Sequence, residues 1–86
     1  MAKILIVDDD ITFSKILKNF LKRHNFEIEA VHNVKDAMSL IVDIHFDLLL
    51  LDYKLPDGNA FDILTSVKDK NVHMPAIIMT SFNDVR

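Results

Sequence analysis

Three aspartates in a row, Asp8-Asp9-Asp10, follow directly on the apolar run Ile4-Leu5-Ile6-Val7. A fourth, Asp52, follows Leu48-Leu49-Leu50-Leu51, and the hydroxyls of Thr80 and Ser81 follow Ala76-Ile77-Ile78-Met79. If the first two runs are neighbouring strands pointing the same way, Asp8, Asp9 and Asp52 converge. Like charges that close raise one another's pKa and destabilise the fold. A hard divalent cation relieves the repulsion, and Mg²⁺ suits a site of one or two carboxylates, a carbonyl and several waters. Mg²⁺ beside an accessible carboxylate and a hydroxyl points to phosphoryl chemistry. A carboxylate can act as nucleophile and become an aspartyl phosphate, while the metal offsets charge on the transferring oxygens. The plainer account of residues 8–10 is a helix cap, but it leaves Asp52 and Thr80 at the ends of the other runs unexplained.

The elements that would position these groups follow from periodicity. Strands are expected over 3–8, 27–31, 47–52 and 76–80, and helices over 11–24, 34–45 and 59–70. Short apolar runs bounded by polar residues are the pattern of buried parallel strands. In the first helix Phe13, Ile16, Leu17, Phe20 and Leu21 share one face, and Asp10 is a candidate N-cap. In the second strand Phe26, Ile28 and Ala30 alternate with Glu27 and Glu29, which suggests an edge strand. Asn33 is the expected cap of the second helix, with Asp36 at N3 and Val34, Ala37, Met38 and Ile41 as its buried stripe. Pro56-Asp57-Gly58 is a turn signal. Ala60, Ile63, Leu64 and Val67 form the apolar stripe of the third helix, flanked by Phe61. Alternating strands and helices imply right-handed crossovers and an α/β fold with a parallel sheet ordered 2-1-3-4. In open sheets of this kind, sites are built beyond the carboxyl ends of the strands.

Composition narrows the function classes. The chain has 86 residues, half of them hydrophobic and 27% charged, with a formal net charge of -3. One small domain without a basic footprint is expected, hence no direct nucleic-acid contact. There are no cysteines, so neither disulfides nor thiolate metal sites arise. No apolar run approaches the roughly 20 residues of a membrane span, and no signal peptide is visible, so the expected location is the cytoplasm. The sequence stops at Arg86, where a further helix would be expected, which suggests a fragment of a longer protein.

Ile-Val-Asp8-Asp9, then Leu-Leu-Leu-Asp52-Tyr-Lys-Leu-Pro-Asp-Gly, then Pro-Ala-Ile-Ile-Met-Thr80-Ser-Phe, together resemble the receiver domain of bacterial two-component response regulators. The resemblance covers the whole chain, residues 1–86, about seventy percent of a typical receiver. It implies a flavodoxin-like, doubly wound sheet, incomplete here, with three helices. It also implies a signalling module rather than an enzyme, partnered by a sensor histidine kinase. By that resemblance Asp52 is the phosphoacceptor. Asp9 binds Mg²⁺ directly, Asp8 through water, and Asp52 and the backbone carbonyl of Lys54 complete the metal site. Thr80 hydrogen-bonds the phosphoryl group, and Ser81 shapes water access. The tail from Thr80 resembles receivers that head enhancer-binding transcription activators. Receivers also carry a later strand ending in a lysine that pairs with the phosphoryl group. No lysine follows Lys70 here, so phosphorylation of this chain by itself is expected to be impaired.

Two rivals accompany that reading. Asp8-Asp9-Asp10-Ile-Thr12 also fits the first motif of haloacid-dehalogenase-type phosphohydrolases, with Asp8 as nucleophile and Asp10 as general acid/base. That leaves Asp52 and its turn without a role. A half-domain used for assembly is compatible with the receiver reading. The fourth strand, carrying Ile77, Ile78 and Met79, would be an open apolar edge, so a homodimer through that edge, or by exchange of an element, is expected. His24, His32, His45 and His73 form no ligand pattern, and surface positions are expected for them.

Overall fold

The computed structural model describes residues 1–79. The elements in chain order are β1 (Lys3–Val7), α1 (Ile11–Lys22), β2 (Glu27–Val31), α2 (Val34–Asp43), β3 (Leu48–Asp52), the two-residue strands β4 (Lys54–Leu55) and β5 (Gly58–Asn59), α3 (Ala60–Asp69) and β6 (Ala76–Met79). The four long strands form one parallel sheet ordered β2-β1-β3-β6. The order expected from the sequence is therefore the observed one, with β6 as the fourth long strand. The short strands β4 and β5 add a small antiparallel ladder, Lys54 opposite Asn59 and Leu55 opposite Gly58, that periodicity did not reveal. Two-residue strands are too short to carry an alternation signal. The helices are each one to two residues shorter at their C-terminal ends than expected, and Ile44 is already extended.

The sheet register explains why the core has two halves. β1 and β3 pair from Ile4 with Leu48 to Val7 with Leu51. Neighbours in register point to the same face, and successive residues to opposite faces. Leu5, Val7, Leu49 and Leu51 therefore meet Val34, Ala37 and Ile41 of α2 and Ala60, Ile63 and Val67 of α3 in the larger core. Phe46, in the loop before β3, is the largest fully buried side chain of that core. Met38 and Leu64, expected in the helix stripes, lie half-buried at its margin. Ile4, Ile6, Ile28 and Leu50 face the other way, toward α1.

The apolar face of α1 departs from expectation. Leu17 and Leu21 do face the sheet, but Phe13, Ile16 and Phe20 are exposed, Ile16 by 62%. The buried centre of the helix is Ser14 instead. A small side chain there lets α1 approach the strands closely. The apolar flank is turned away from Lys15 and Lys18, which border Ala30 and His32 on the β2 side. Ile77 is paired in register with Leu50, so it shares the sheet face of α1, and it is 54% exposed. Among the described residues, one helix covers this face and two cover the other.

Two helix exits use asparagine in the left-handed region, Asn25 at φ 68° and Asn71 at φ 56°. Asparagine tolerates that conformation better than other side-chain-bearing residues. The single glycine is spent elsewhere, at Gly58.

Candidate functional site

Because β1 and β3 are adjacent and in register, Val7 lies beside Leu51, and Asp8 follows β1 where Asp52 ends β3. Asp8, Asp9 and Asp52 each offer a carboxylate oxygen, and these oxygens lie within 4.8 Å of one another. Asp8 is buried, Asp52 half-buried and Asp9 exposed. The sequence expectation that these three converge is met. Asp10, the third member of the run, turns away. Its Oδ1 accepts the Phe13 N–H at 2.9 Å as the N-cap of α1.

The electrostatics follow from this crowding. Burial first, then the charges of Asp9 and Asp10, pushes the Asp8 carboxyl above its ordinary value of 3.8, against a hydrogen bond from the Asp10 N–H at 2.9 Å. Burial, then the charges of Asp8 and Asp9, likewise raises Asp52, against hydrogen bonds from the backbone of Lys54 and Tyr53. Three acidic groups held together at this cost are an oxygen-only donor set, and such a set fits a hard cation of the Mg²⁺ type rather than a soft one. Asp52 also retains partial access from outside, as a nucleophile needs.

Neighbouring residues fix the two acidic arms. The Asp8 N–H donates to Val31 at 3.1 Å. The Asp8 carbonyl accepts from the Ser14 hydroxyl at 3.4 Å and meets His32 Nδ1 at 2.9 Å. A carbonyl only accepts, so His32 carries its proton on Nδ1. On the Asp52 side, the Tyr53 N–H donates to Met79 and the Ala60 N–H to Tyr53, both at 2.9 Å. Lys54 follows at the start of β4, exposed, while Leu55, its neighbour in the ladder, is buried in the larger core. Tyr53 packs edge-on against Phe61 at 5.8 Å. Thr80 and Ser81 lie outside the described residues.

Two residues near the site carry no sequence signal for their place. His32 is not a free surface histidine but a half-buried brace on Asp8. Asp57, read from sequence only as a turn residue, reaches α2: its carboxylate accepts the Val34 N–H at 2.7 Å and the Lys35 N–H at 3.0 Å. Both contacts span more than twenty residues of sequence, so local spacing could not have found them.

Comparison with known proteins agrees with this geometry. Residues 4–86 match the family model described as the response regulator receiver domain. The chain is 31% identical over 83 residues to the response regulator protein PilR of Pseudomonas aeruginosa, covering 96% of this chain and 19% of that one. It is 36% identical over 81 residues to the transcriptional regulatory protein CpxR of Escherichia coli, covering 94% and 34%. The chain thus spans about a fifth to a third of the length of these relatives. Among solved structures it is similar to the MaeR response regulator bound to beryllium trifluoride, with a TM-score of 0.85 at 34% identity, covering 99% of this chain and 71% of that one. It is also similar to the response regulator TrrA from Thermotoga maritima in complex with Mg²⁺ and beryllium fluoride, with a TM-score of 0.87 at 26% identity, covering 100% and 75%.

Proposed function

The chain belongs to the response regulator receiver domain family, and we propose on that premise that residues 1–86 belong to one phosphoacceptor domain served by a sensor histidine kinase. Asp52 is the acceptor. Its carboxylate oxygen attacks the phosphorus of a phosphohistidine, the P–N bond breaks, and the leaving imidazole takes up a proton. Asp8, Asp9, Asp52 and the carbonyl of Lys54 would hold Mg²⁺, which when bound offsets charge on the phosphoryl oxygens. Asp52 supplies the nucleophile, and Asp8 and Asp9 hold the negative arm of the metal site opposite it. Thr80 would hydrogen-bond the phosphoryl group and Ser81 would control water access, both on the strength of the resemblance. The observation that carries the reading is the meeting of three carboxylates at the ends of β1 and β3. The relatives' beryllium fluoride and Mg²⁺ complexes support it by analogy.

The test is chemical. Magnesium titrated into the protein should shift NMR signals of residues around Asp8, Asp9 and Asp52, and Asp9→Ala should abolish the response. A small phosphodonor with Mg²⁺, followed by borohydride trapping of the acyl phosphate, should mark Asp52. Labelling that survives Asp52→Asn but is lost in Asp8→Asn would instead favour the phosphohydrolase-type use of Asp8.

The domain acts as a signalling module in the cytoplasm, without direct contact to nucleic acid or membrane. None of the described helices is long and apolar enough to cross a membrane. The resemblance of its tail extends the reading to a transcription activator of the enhancer-binding kind. Among the described residues β6 is hydrogen-bonded to β3 alone, and its Ile77 is exposed. This supports a homodimer through the β6 side or by exchange of an element.

A further inference from the structure

The acidic site has two arms, and they are joined by a contact that touches no metal ligand. One arm is Asp8 with Asp9. It is tied to the loop after β2 through His32, whose Nδ1 lies 2.9 Å from the Asp8 carbonyl. That loop runs directly into Asn33 and the first turn of α2. The other arm is Asp52 with the loop 53–59, which carries the Lys54 carbonyl and is folded back by the β4–β5 ladder. Asp57 stands at the tip of that ladder, exposed, and its two carboxylate oxygens accept the N–H groups of Val34 and Lys35. A closed ring results: Asp8, His32, the N-terminus of α2, Asp57, the β4–β5 ladder, Lys54 and Asp52.

We propose that Asp57 is a positioning residue, which fixes the spacing between the two arms of the metal site by clamping the acceptor loop to α2. The inference rests on the reading of Asp8, Asp9, Asp52 and Lys54 as that site. α2 already has a cap of its own, since Asn33 Oδ1 accepts the Asp36 N–H at 2.7 Å. The Asp57 clamp is therefore a second, bidentate attachment, charged where the first is neutral, and it comes from another element. Charge-assisted hydrogen bonds are about twice as strong as neutral ones. Their geometry permits little sliding of the ladder relative to α2. Groups hydrogen-bonded directly to metal ligands typically cost 10–100-fold in metal affinity when lost; Asp57 acts one step further out, through the loop that carries the ligands, so the low end of that range is expected.

Asn33 provides the control. Asn33→Ala removes a cap from the same helix without touching the acceptor loop. Mg²⁺ affinity is measured by NMR titration on wild type, Asp57→Ala and Asn33→Ala, each checked for folding by circular dichroism. Asp57→Ala should bind Mg²⁺ about tenfold more weakly, and Asn33→Ala should stay within about twofold of wild type. If Asp57→Ala fails to fold, Asp57→Asn takes its place. Its single acceptor oxygen keeps one of the two contacts, so a loss of a few-fold is expected. Wild-type affinity in the folded Asp57 variants overturns the proposal. Equal weakening in Asn33→Ala overturns it too, since the effect would then come from α2 stability. A wild-type protein that shows no Mg²⁺ response refutes the site itself, a result separate from either of these.

Discussion

Replacing Asp52, the proposed acceptor, should make the metal-free protein more stable. The oxygens of Asp8, Asp9 and Asp52 lie within 4.8 Å of one another. At 4.8 Å, two unit charges repel by about 0.9 kcal/mol in water and about 3.5 kcal/mol at an effective dielectric of 20. Asp8 is buried and Asp9 exposed, so the Asp8 contribution lies toward the upper figure and the Asp9 contribution toward the lower. After solvent screening, Asp52→Asn should relieve about 1–3 kcal/mol. A domain of this size gains about 4–8 °C in Tm for each kcal/mol. The sign with pH follows from the raised Asp52 carboxyl. A carboxyl raised in the folded state favours folding fully below its unfolded value, near 3.8, and that contribution is lost as pH climbs through the folded value. Wild type and variant should therefore melt together below 3.8 and separate progressively above it, with the full gap at neutral pH. Thermal unfolding followed by circular dichroism in EDTA measures the gap. Added Mg²⁺ at 100 times its Kd should return about 2.7 kcal/mol to the wild type and close most of it. A variant no more stable than wild type at neutral pH in EDTA, or a gap indifferent to pH, would refute the charge-crowding argument.

Asp57 should show the opposite pH behaviour. The Val34 and Lys35 N–H groups hold its carboxyl below 3.8, so its stabilising contribution is present above 3.8 and lost as pH falls through the lower folded value. The stability difference between wild type and Asp57→Asn should shrink over that acid window in a pH series of urea melts. Gly58→Ala should cost about 1 kcal/mol by urea unfolding, the usual value of a helix cap. The added Cβ would collide with the Asp62 carboxylate, which accepts the Asn59 N–H at 2.9 Å in the capping box of α3. Phe46→Ala should cost about 3–5 kcal/mol, enough to leave a small domain largely unfolded by circular dichroism. Ile77→Lys should leave the fold intact, because Ile77 is 54% exposed, and should dissociate the proposed dimer in sedimentation equilibrium. A wild type that is monomeric across the micromolar range would remove that dimer from consideration.

What the sequence made legible was governed by the sheet. An apolar run such as Leu48–Leu51 announces a strand buried on both faces, and a strand has only one direction in which to present the residue that ends it. Once β1 and β3 are neighbours, Asp8 and Asp52 have nowhere else to be, and the site can be read without coordinates. Helices carry less of this information. Periodicity states which residues share a face, not what the face meets. On α1 the apolar residues 13, 16, 17, 20 and 21 span an arc wider than the contact with the sheet. Sequence alone could not tell that Leu17 and Leu21 lie inward while Phe13, Ile16 and Phe20 lie outward around a buried Ser14. Phe46 was hidden for a related reason, since a loop residue has no period and shows its burial only in three dimensions.

The braces of the site were the least legible part. Asp57 in a Pro-Asp-Gly turn is already accounted for by turn chemistry, and His32 at a strand end is an ordinary polar residue. Their partners, Val34 and Lys35 for one and the Asp8 carbonyl for the other, are backbone groups 22 to 24 residues away. Backbone donors and acceptors are the same at every position in a sequence, so a contact to one leaves no trace in residue type. The ligands of such a site are thus chosen by chemistry that the sequence displays, and their spacing by contacts that it does not. On the proposed reading of the site, substitutions at Asp57 and His32, which contact backbone groups rather than a metal, should change its affinity while its ligands stay the same.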